Sequence, residues 1–128
     1  MIVAKAAKAF LAEPHVATLT TVRPDGTLHV TAVRFTWDGD SRLARVLTVA
    51  SARKARNLTV HPGGRAALCQ VAGFRWITLE GAATVSDDPR RLAEGVRRYT
   101  RRYQSAPPTP PQRVVIEIAV DRQLSLNL

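Results

Sequence analysis

Residues 51–58 read Ser-Ala-Arg-Lys-Ala-Arg-Asn-Leu, and they directly follow residues 43–50, an apolar run that suits a strand. Ser51 is a favourable N-cap, so the sequence predicts that a helix begins here. Two cations, Arg53 and Lys54, fall in its first turn, where the positive end of the helix dipole disfavours them. Either a bound anion such as a phosphate compensates these charges, or they form a solvated basic turn.

Further strands and helices are predicted on both sides of this segment. In chain order the elements are a helix over 2–13, strands over 15–22, 28–37 and 43–50, a helix over 51–61, strands over 66–71 and 74–85, a helix over 89–103 and a strand over 114–120. Tight turns such as Pro24-Asp25-Gly26 separate the first three strands, which therefore form an antiparallel meander. Six strands with short helices indicate a mainly β, closed or partly closed barrel, built as a single domain over 1–128.

Two later features refine this prediction. Gly81 interrupts the strand over 74–85, which suggests a bulge or a sharp bend of the kind that barrels need at their corners. Asp88 and Pro89 begin the next helix as an N-cap and a proline at the first helical position. The apolar stripe of that helix, predicted to be buried, consists of Leu92, Val96, Tyr99 and Tyr103.

The chain is strongly basic, with a formal net charge of +9. Such a charge suits a nucleic acid, an anionic membrane surface or a small polyanionic ligand. The helix over 89–103 carries six arginines that form a solvated face, a nucleic-acid surface or a wall beside an anionic ligand: Arg90, Arg91, Arg97, Arg98, Arg101 and Arg102. Aromatic residues make up only 5% of the chain, too few to suggest base stacking, so we expect no nucleic-acid partner.

Other classes of site have little support in the sequence. The histidines His15, His29 and His61 are far apart and lack a carboxylate cluster, so no metal site is expected. Cys69 lies in an apolar run, which indicates a buried structural thiol in a reducing compartment. Neither a membrane helix nor a signal peptide is predicted, so we expect a cytoplasmic protein without membrane contact.

Two motifs together resemble the pyridoxamine-phosphate-oxidase-like split-barrel superfamily: the helix start at 51–58 and the stretch Trp-Ile-Thr-Leu-Glu-Gly at 76–81. Within it, the stretches at 19–21, 44–46 and 113–117 are similar to those of the F420-dependent biliverdin reductases. The resemblance covers nearly the whole chain and implies a six-stranded antiparallel split β-barrel.

The resemblance also implies a flavin-type cofactor bound by a homodimer, with coenzyme F420 (a deazaflavin) favoured and FMN as the alternative. Thr31 stands where pyridoxamine phosphate oxidase has an arginine, which argues against vitamin-B6 oxidation and weakens the case for FMN. The positions implied to bind the cofactor are Thr31, Ala32, Val33, Arg34 and Phe35 along the ring, Leu47 and Thr48 beside the ribityl chain, Ser51, Arg53, Lys54 and Asn57 at the phosphate, and Trp76 near the ring.

Enzymes of that group reduce biliverdin-type linear tetrapyrroles by hydride transfer from reduced deazaflavin, and the resemblance implies the same reaction here. The cofactor carries the chemistry, so no catalytic residue is predicted. The two propionates of a tetrapyrrole suit arginine partners, for which the candidates are Arg34, Arg75 and Arg97. The alternatives are an FMN- or haem-binding split-barrel protein with a storage, sensing or different redox role, and a basic nucleic-acid-binding domain.

Overall fold

The computed structural model describes residues 4–128, in which one antiparallel sheet of seven strands is accompanied by three helices. The strands are β1 (Ala17–Val22), β2 (Leu28–Val33), β3 (Thr36–Asp38), β4 (Leu43–Val49), β5 (Arg65–Ala72), β6 (Arg75–Ser86) and β7 (Arg113–Leu126). The helices are α1 (Lys5–Ala12), α2 (Arg53–Val60) and α3 (Pro89–Tyr103). Along the sheet the strand order is β2-β1-β5-β6-β7-β4-β3, so β2 and β3 are its two edges.

These two edge strands are consecutive in the chain, and this closes the sheet into a barrel. Val33 ends β2 and Thr36 begins β3, so only Arg34 and Phe35 connect the two edges. Since each residue spans at most about 3.5 Å, the edges lie within roughly 10 Å of each other and the sheet must curl round on itself. Within the described chain β2 and β3 are not hydrogen-bonded to each other, so the barrel is split along this seam.

The predicted mainly β, antiparallel fold is confirmed, but with seven strands in place of six. The single strand predicted over 28–37 is divided at the seam, because the Phe35 backbone bonds to side chains of α3. The Tyr103 hydroxyl lies 3.0 Å from both the amide nitrogen and the carbonyl oxygen of Phe35. Arg102 donates to the same carbonyl. Two α3 side chains thus take the place of a neighbouring strand.

Three element boundaries also differ from the prediction. Helix α1 begins at Lys5, and residues 2 and 3 of the predicted helix lie outside the described residues. The N-cap of α2 is Ala52, not Ser51, and no side chain caps this helix within the described chain. Strand β7 continues through the tail for which no element is predicted, because the long strand β6 offers it partners as far as Trp76.

The core fills the inside of the barrel, and α1 closes one end of it. Gln70 donates its Nε2 to the carbonyl of Phe10 at 2.8 Å and so ties α1 to β5. Cys69 lies between the inward-facing Leu68 and Gln70, so it is half-buried on the outer face and not buried as predicted. The largest apolar side chains of the core are Phe10, Phe35, Leu11, Leu19, Leu68, Ile77, Leu79, Ile116 and Ile118.

Gly81 produces the predicted bulge in β6. The register between β6 and β7 shifts between Glu80 and Gly81. At this point the two backbones approach so closely that a Cβ on Gly81 would lie 1.8 Å from the carbonyl oxygen of Ala119. Only glycine permits this approach, and the bulge increases the local bend and twist that a closed sheet requires.

Helix α3 packs on the outside of the barrel, over β4 and β7. The Asp88 carboxylate accepts a hydrogen bond from the Arg91 N–H at 3.1 Å, which confirms the predicted N-cap. Gly95 is buried and lets the helix approach, because a Cβ there would lie 3.2 Å from Leu47 Cδ2. The apolar stripe predicted for this helix is only half-buried, since the helix lies on the outer face of the sheet and not in the core.

Ion pairs to two buried carboxylates hold α3 in place. Arg45, which is 8% exposed, bonds both Asp38 and Glu117 at 3.1 Å. From α3, Arg98 bonds Asp38 and Arg91 bonds Glu117. Burial alone would raise the pKa of Asp38, but hydrogen bonds, one of them from Arg45, lower it to about 2. Two of the six arginines for which the sequence left a solvated face, a nucleic-acid surface and a wall beside a ligand open therefore attach the helix to the sheet.

Candidate functional site

A cavity of about 310 Å³ opens beside the seam, between the ends of β2 and β4, the start of α2 and the loop before β7. It is lined by Ala32, Val33, Arg34, Val46, Leu47, Thr48, Val49, Lys54, Tyr99, Pro107, Pro108, Pro110 and Arg113. Its walls are mainly apolar and its three charged residues are cations; no carboxylate lines it within residues 4–128. Such a cavity suits a flat, largely apolar ring that carries an anionic group.

The cavity brings together half of the residues predicted to bind the cofactor: Ala32, Val33, Arg34, Leu47, Thr48 and Lys54. They come from β2, β4 and α2, and the closure of the barrel places them side by side, because β2 and β4 lie near opposite ends of the strand order. Two neighbouring candidates point elsewhere. Thr31 is half-buried opposite Leu19 on β1, and Phe35 is 1% exposed in the core.

The remaining candidates of the phosphate motif lie around α2 but outside the cavity lining. Ser51 is exposed in the turn before the helix, and Arg53 is its exposed first residue. Asn57 is buried, and its Nδ2 donates to Thr21 Oγ1 at 3.0 Å. Asn57 therefore fastens α2 to β1 in this structure.

Three further candidates do not line the cavity. Trp76 is half-buried on the outer face of β6. The Arg75 guanidinium donates to both oxygens of Glu13, at 2.8 and 3.0 Å. Arg97 is paired with Glu94 on the exposed side of α3. A single chain therefore does not assemble all the residues that the sequence predicts for the site.

His29, on β2, lies near the cationic end of the cavity and was not among the predicted site residues. Its Nδ1 is buried and has no hydrogen-bond partner in the part of the chain that the structure describes. Burial lowers the pKa of His29, and the charges of Arg23, Lys54 and Arg53 lower it further. Several cations thus share one small region, and such a region attracts an anion. No local pattern around His29 could have indicated it, because the cations beside it come from the loop after β1 and from α2.

Arg34 is held in a fixed position at the wall of the cavity. Its guanidinium donates to the Tyr99 hydroxyl at 2.9 Å and lies 4.9 Å from the centre of the Tyr103 ring. It forms no ion pair with any carboxylate among the described residues. Arg34 is therefore an oriented cation that is available to a ligand.

The proline-rich loop between α3 and β7 forms a further wall of the cavity. Pro107, Pro108 and Pro110 line the cavity, and Pro107 is buried. Arg113 donates to the Pro108 carbonyl at 2.9 Å and so fixes the loop against β7. Because proline restricts the backbone, this wall is formed before any ligand binds.

Two other kinds of site find no support in residues 4–128. No helix there combines the length and the apolar character needed to cross a bilayer. Likewise, that part of the chain contains no group of three His, Cys, Asp or Glu side chains placed to hold a metal ion.

The curled sheet with its open seam, next to an apolar cavity with a cationic end, defines a split-barrel protein. Residues 3–126 match the pyridoxamine 5'-phosphate oxidase family, and the chain belongs to this family.

Its relatives include a protein that acts with F420. The chain is 45% identical over 118 residues to the F420H(2)-dependent biliverdin reductase of Mycobacterium tuberculosis, across 92% of this chain and 84% of that protein. Among solved structures, a conserved hypothetical protein of Mycobacterium tuberculosis has a TM-score of 0.78 and 25% identity, covering 98% of this chain and 85% of that one. An F420 reductase has a TM-score of 0.76 and 26% identity, covering 95% and 98%. The predicted superfamily and the similarity to F420-dependent biliverdin reductases are confirmed.

Proposed function

We propose that this chain is an F420-dependent reductase that transfers a hydride from the reduced deazaflavin to biliverdin, a linear tetrapyrrole. The observation that carries the proposal is the cavity beside the seam, whose apolar walls end at Lys54 and the start of α2. The 45% identity to a biliverdin reductase that uses F420 supports the choice of F420 over FMN.

The residues of the cavity fit a deazaflavin. Lys54 and Arg53, with the free N–H groups at the start of α2, would bind its phosphate. Val33 and Leu47 would contact the ring, and the Thr48 hydroxyl would bond the polyol chain. When bound, the reduced deazaflavin supplies the hydride. The protein orients the ring against the substrate, and the proline-rich loop excludes water from one side.

Arg34 is the best-placed candidate for a propionate of the substrate. Its guanidinium lines the cavity and lacks a carboxylate partner among the side chains described. Arg75 and Arg97 already bond Glu13 and Glu94, so each would have to leave an ion pair before it could bind a propionate. Arg34 has no ion pair to break within the described residues, so we assign the substrate carboxylate to it.

We also propose that the protein is a homodimer formed through the outer face of the sheet. Cross-strand pairing places Val30 and Ala32 of β2 on this face, and Val71 and Trp76 lie on it beside Leu126. The large apolar residues exposed there, each between 43% and 62%, are Val22, Leu28, Val30, Val71, Leu124 and Leu126. An exposed apolar surface of this extent is typical of an interface.

A second copy seated on this face would also cover the cavity. Ala32 belongs to the face and lines the cavity at the same time. A dimer of this kind accounts for the position of Trp76, which lies on the same face and outside the cavity of its own subunit.

Val71→Glu is expected to weaken the dimer at least about tenfold, because a carboxylate would be buried without a partner in the interface. The dissociation constant is measured by sedimentation equilibrium. Val60→Glu is the matched control, since Val60 is exposed to the same 55% but lies on α2, away from this face. A Val71→Glu protein that dimerises as tightly as the Val60→Glu protein would contradict the proposed interface.

The cofactor and the reaction are tested together by titrating the purified protein with F420 and with FMN, followed by tryptophan quenching. We expect F420 to bind at least about tenfold more tightly than FMN, as the arrangement of the cavity and the F420-dependent relative suggest. Biliverdin added to the complex with reduced F420 should then lose its absorbance. Arg97→Gln is expected to behave like the wild type, because Arg97 is paired on the exposed side of α3.

Each result has a distinct meaning. Tight FMN binding with weak F420 binding would show that the proposed cofactor is wrong. Tight F420 binding without any loss of biliverdin absorbance would leave the cofactor assignment in place and reject the substrate.

A further inference from the structure

A second cavity, of about 400 Å³, lies between α1, β3 and α3. It shares no lining residue with the cavity beside the seam. Residues 32–34 line the first cavity, whereas Thr36 and Trp37 line the second, and the buried Phe35 lies between them along the chain. The two cavities are therefore separate sites, on either side of the short connection between β2 and β3.

Three hydrogen-bonding groups of residues that line this cavity are buried and unpaired among the described residues, and Trp37 Nε1 is one of them. Thr36 is only 4% exposed, and its Oγ1 has no partner in the described part of the chain. Arg102 also lines the cavity, and its Nε–H is buried without an acceptor among the same residues. Buried polar groups in folded proteins are almost always satisfied, so an acceptor from outside the chain is expected here.

The cavity carries more positive charge than the chain neutralises. Of its three arginines, Arg98 bonds the carboxylates of Asp38 and Glu94. Arg102 donates only to backbone carbonyls and to one amide side chain, none of which is charged. Arg101 is exposed and forms no ion pair within residues 4–128. Burial lowers the pKa of Arg102, as expected for a cation that lacks a counter-ion.

The rest of the lining is apolar. Leu11 and Ala12 contribute the end of α1, and the half-buried ring of Trp37 contributes the wall from β3. A ligand that fits this cavity therefore has an acceptor group with negative charge at one end and an apolar body at the other.

We infer that this cavity is a second ligand site, which takes an organic carboxylate with an apolar or aromatic body. The carboxylate oxygens accept from Thr36 and Arg102, and Arg101 adds charge at the opening. The body of the ligand packs against Leu11 and Trp37. The site is independent of the proposed reductase activity, because none of these residues belongs to the first cavity.

Benzoate is a suitable probe, with benzamide as its uncharged equivalent. Trp37 and Trp76 give the protein two indole N–H signals in a ¹⁵N NMR spectrum, and Trp76→Phe assigns them. Benzoate should move the Trp37 signal saturably and leave the Trp76 signal in place. Benzamide should bind at least about tenfold more weakly, because it cannot pair with the arginines.

Thr36→Val keeps the shape of the side chain and removes only the unpaired hydroxyl. Its Tm should equal or exceed that of the wild type, while its affinity for benzoate should fall at least about fivefold with the lost hydrogen bond. Thr100→Val is the control on the exposed side of α3, outside the cavity, and it should bind benzoate like the wild type.

The inference is overturned if benzamide binds as tightly as benzoate, or if Thr36→Val retains the benzoate affinity of the wild type. Lys54→Ala alters only the first cavity and should retain benzoate binding. Loss of binding in that variant would place benzoate in the first cavity and would equally overturn the assignment.

Discussion

Replacing Lys54 with alanine is expected to weaken F420 binding about thirtyfold, because a hydrogen bond to a charged group contributes roughly 2 kcal/mol. The Lys54 ammonium lines the cavity from the first turn of α2, where it adds to the charge of the helix start. The dissociation constant is measured by tryptophan quenching. Lys54→Arg keeps the charge at this position and should lose less affinity than the alanine variant.

Arg56→Ala is the matched control for this experiment. Arg56 is an exposed cation on the same helix and does not line the cavity, so its removal should change the F420 affinity by no more than about twofold. If Lys54→Ala and Arg56→Ala lose the same F420 affinity, the loss comes from the lower net charge of the protein. Lys54 would then not be a specific phosphate-binding residue.

His29 provides a second measurement on the same variant. Because the charge of Lys54 helps to lower the pKa of His29, the pKa should rise when Lys54 is removed, as observed by NMR titration of the imidazole. A higher His29 pKa together with an unchanged F420 affinity would support the geometry of this region and reject it as the phosphate site.

Gly81→Ala is expected to reduce the free energy of unfolding by at least about 3 kcal/mol, the upper range for overpacked sites. The new Cβ would lie 1.8 Å from the carbonyl oxygen and 2.6 Å from the carbonyl carbon of Ala119, both of them backbone atoms of the paired strand. The strands would have to separate at the bulge. A loss of this size lowers the Tm of a domain of this length by roughly 10 °C or more.

Gly39→Ala is the control for this substitution. A Cβ at Gly39 would meet only the Trp37 indole nitrogen, at 3.5 Å, which is an ordinary contact. Its Tm should stay within roughly 3 °C of the wild-type value. If the Gly81→Ala protein has the same Tm as the Gly39→Ala protein, β6 and β7 relax easily at the bulge and the prediction is wrong.

The features predicted correctly from the sequence are those with a local cause. Helix α3 occupies the predicted residues 89–103. The Asp88 carboxylate caps it by accepting a hydrogen bond from the N–H of Arg91, three residues further on, and Pro89 suits its first position. The bulge at Gly81 follows from a single glycine in a strand. Each of these signals acts within a few residues, so it is visible in the sequence itself.

The candidate site was predictable in part for the same reason. The motif over 51–58 places Lys54 at the start of a helix, and the resemblance identifies the strands that should approach it. The role of Asn57 is different: its partner Thr21 lies 36 residues away, and nothing near Asn57 in the sequence indicates that hydrogen bond.

The sequence by itself thus determined the class of fold, the start of α3 and the family of this protein. Only the tertiary structure decided where the sheet divides between Val33 and Thr36, and which surfaces enclose the two cavities. Those features depend on contacts between residues far apart in the chain, such as that of Tyr103 with Phe35. The free energy of such contacts depends on how the whole sheet curls, and no local pattern of residues encodes it.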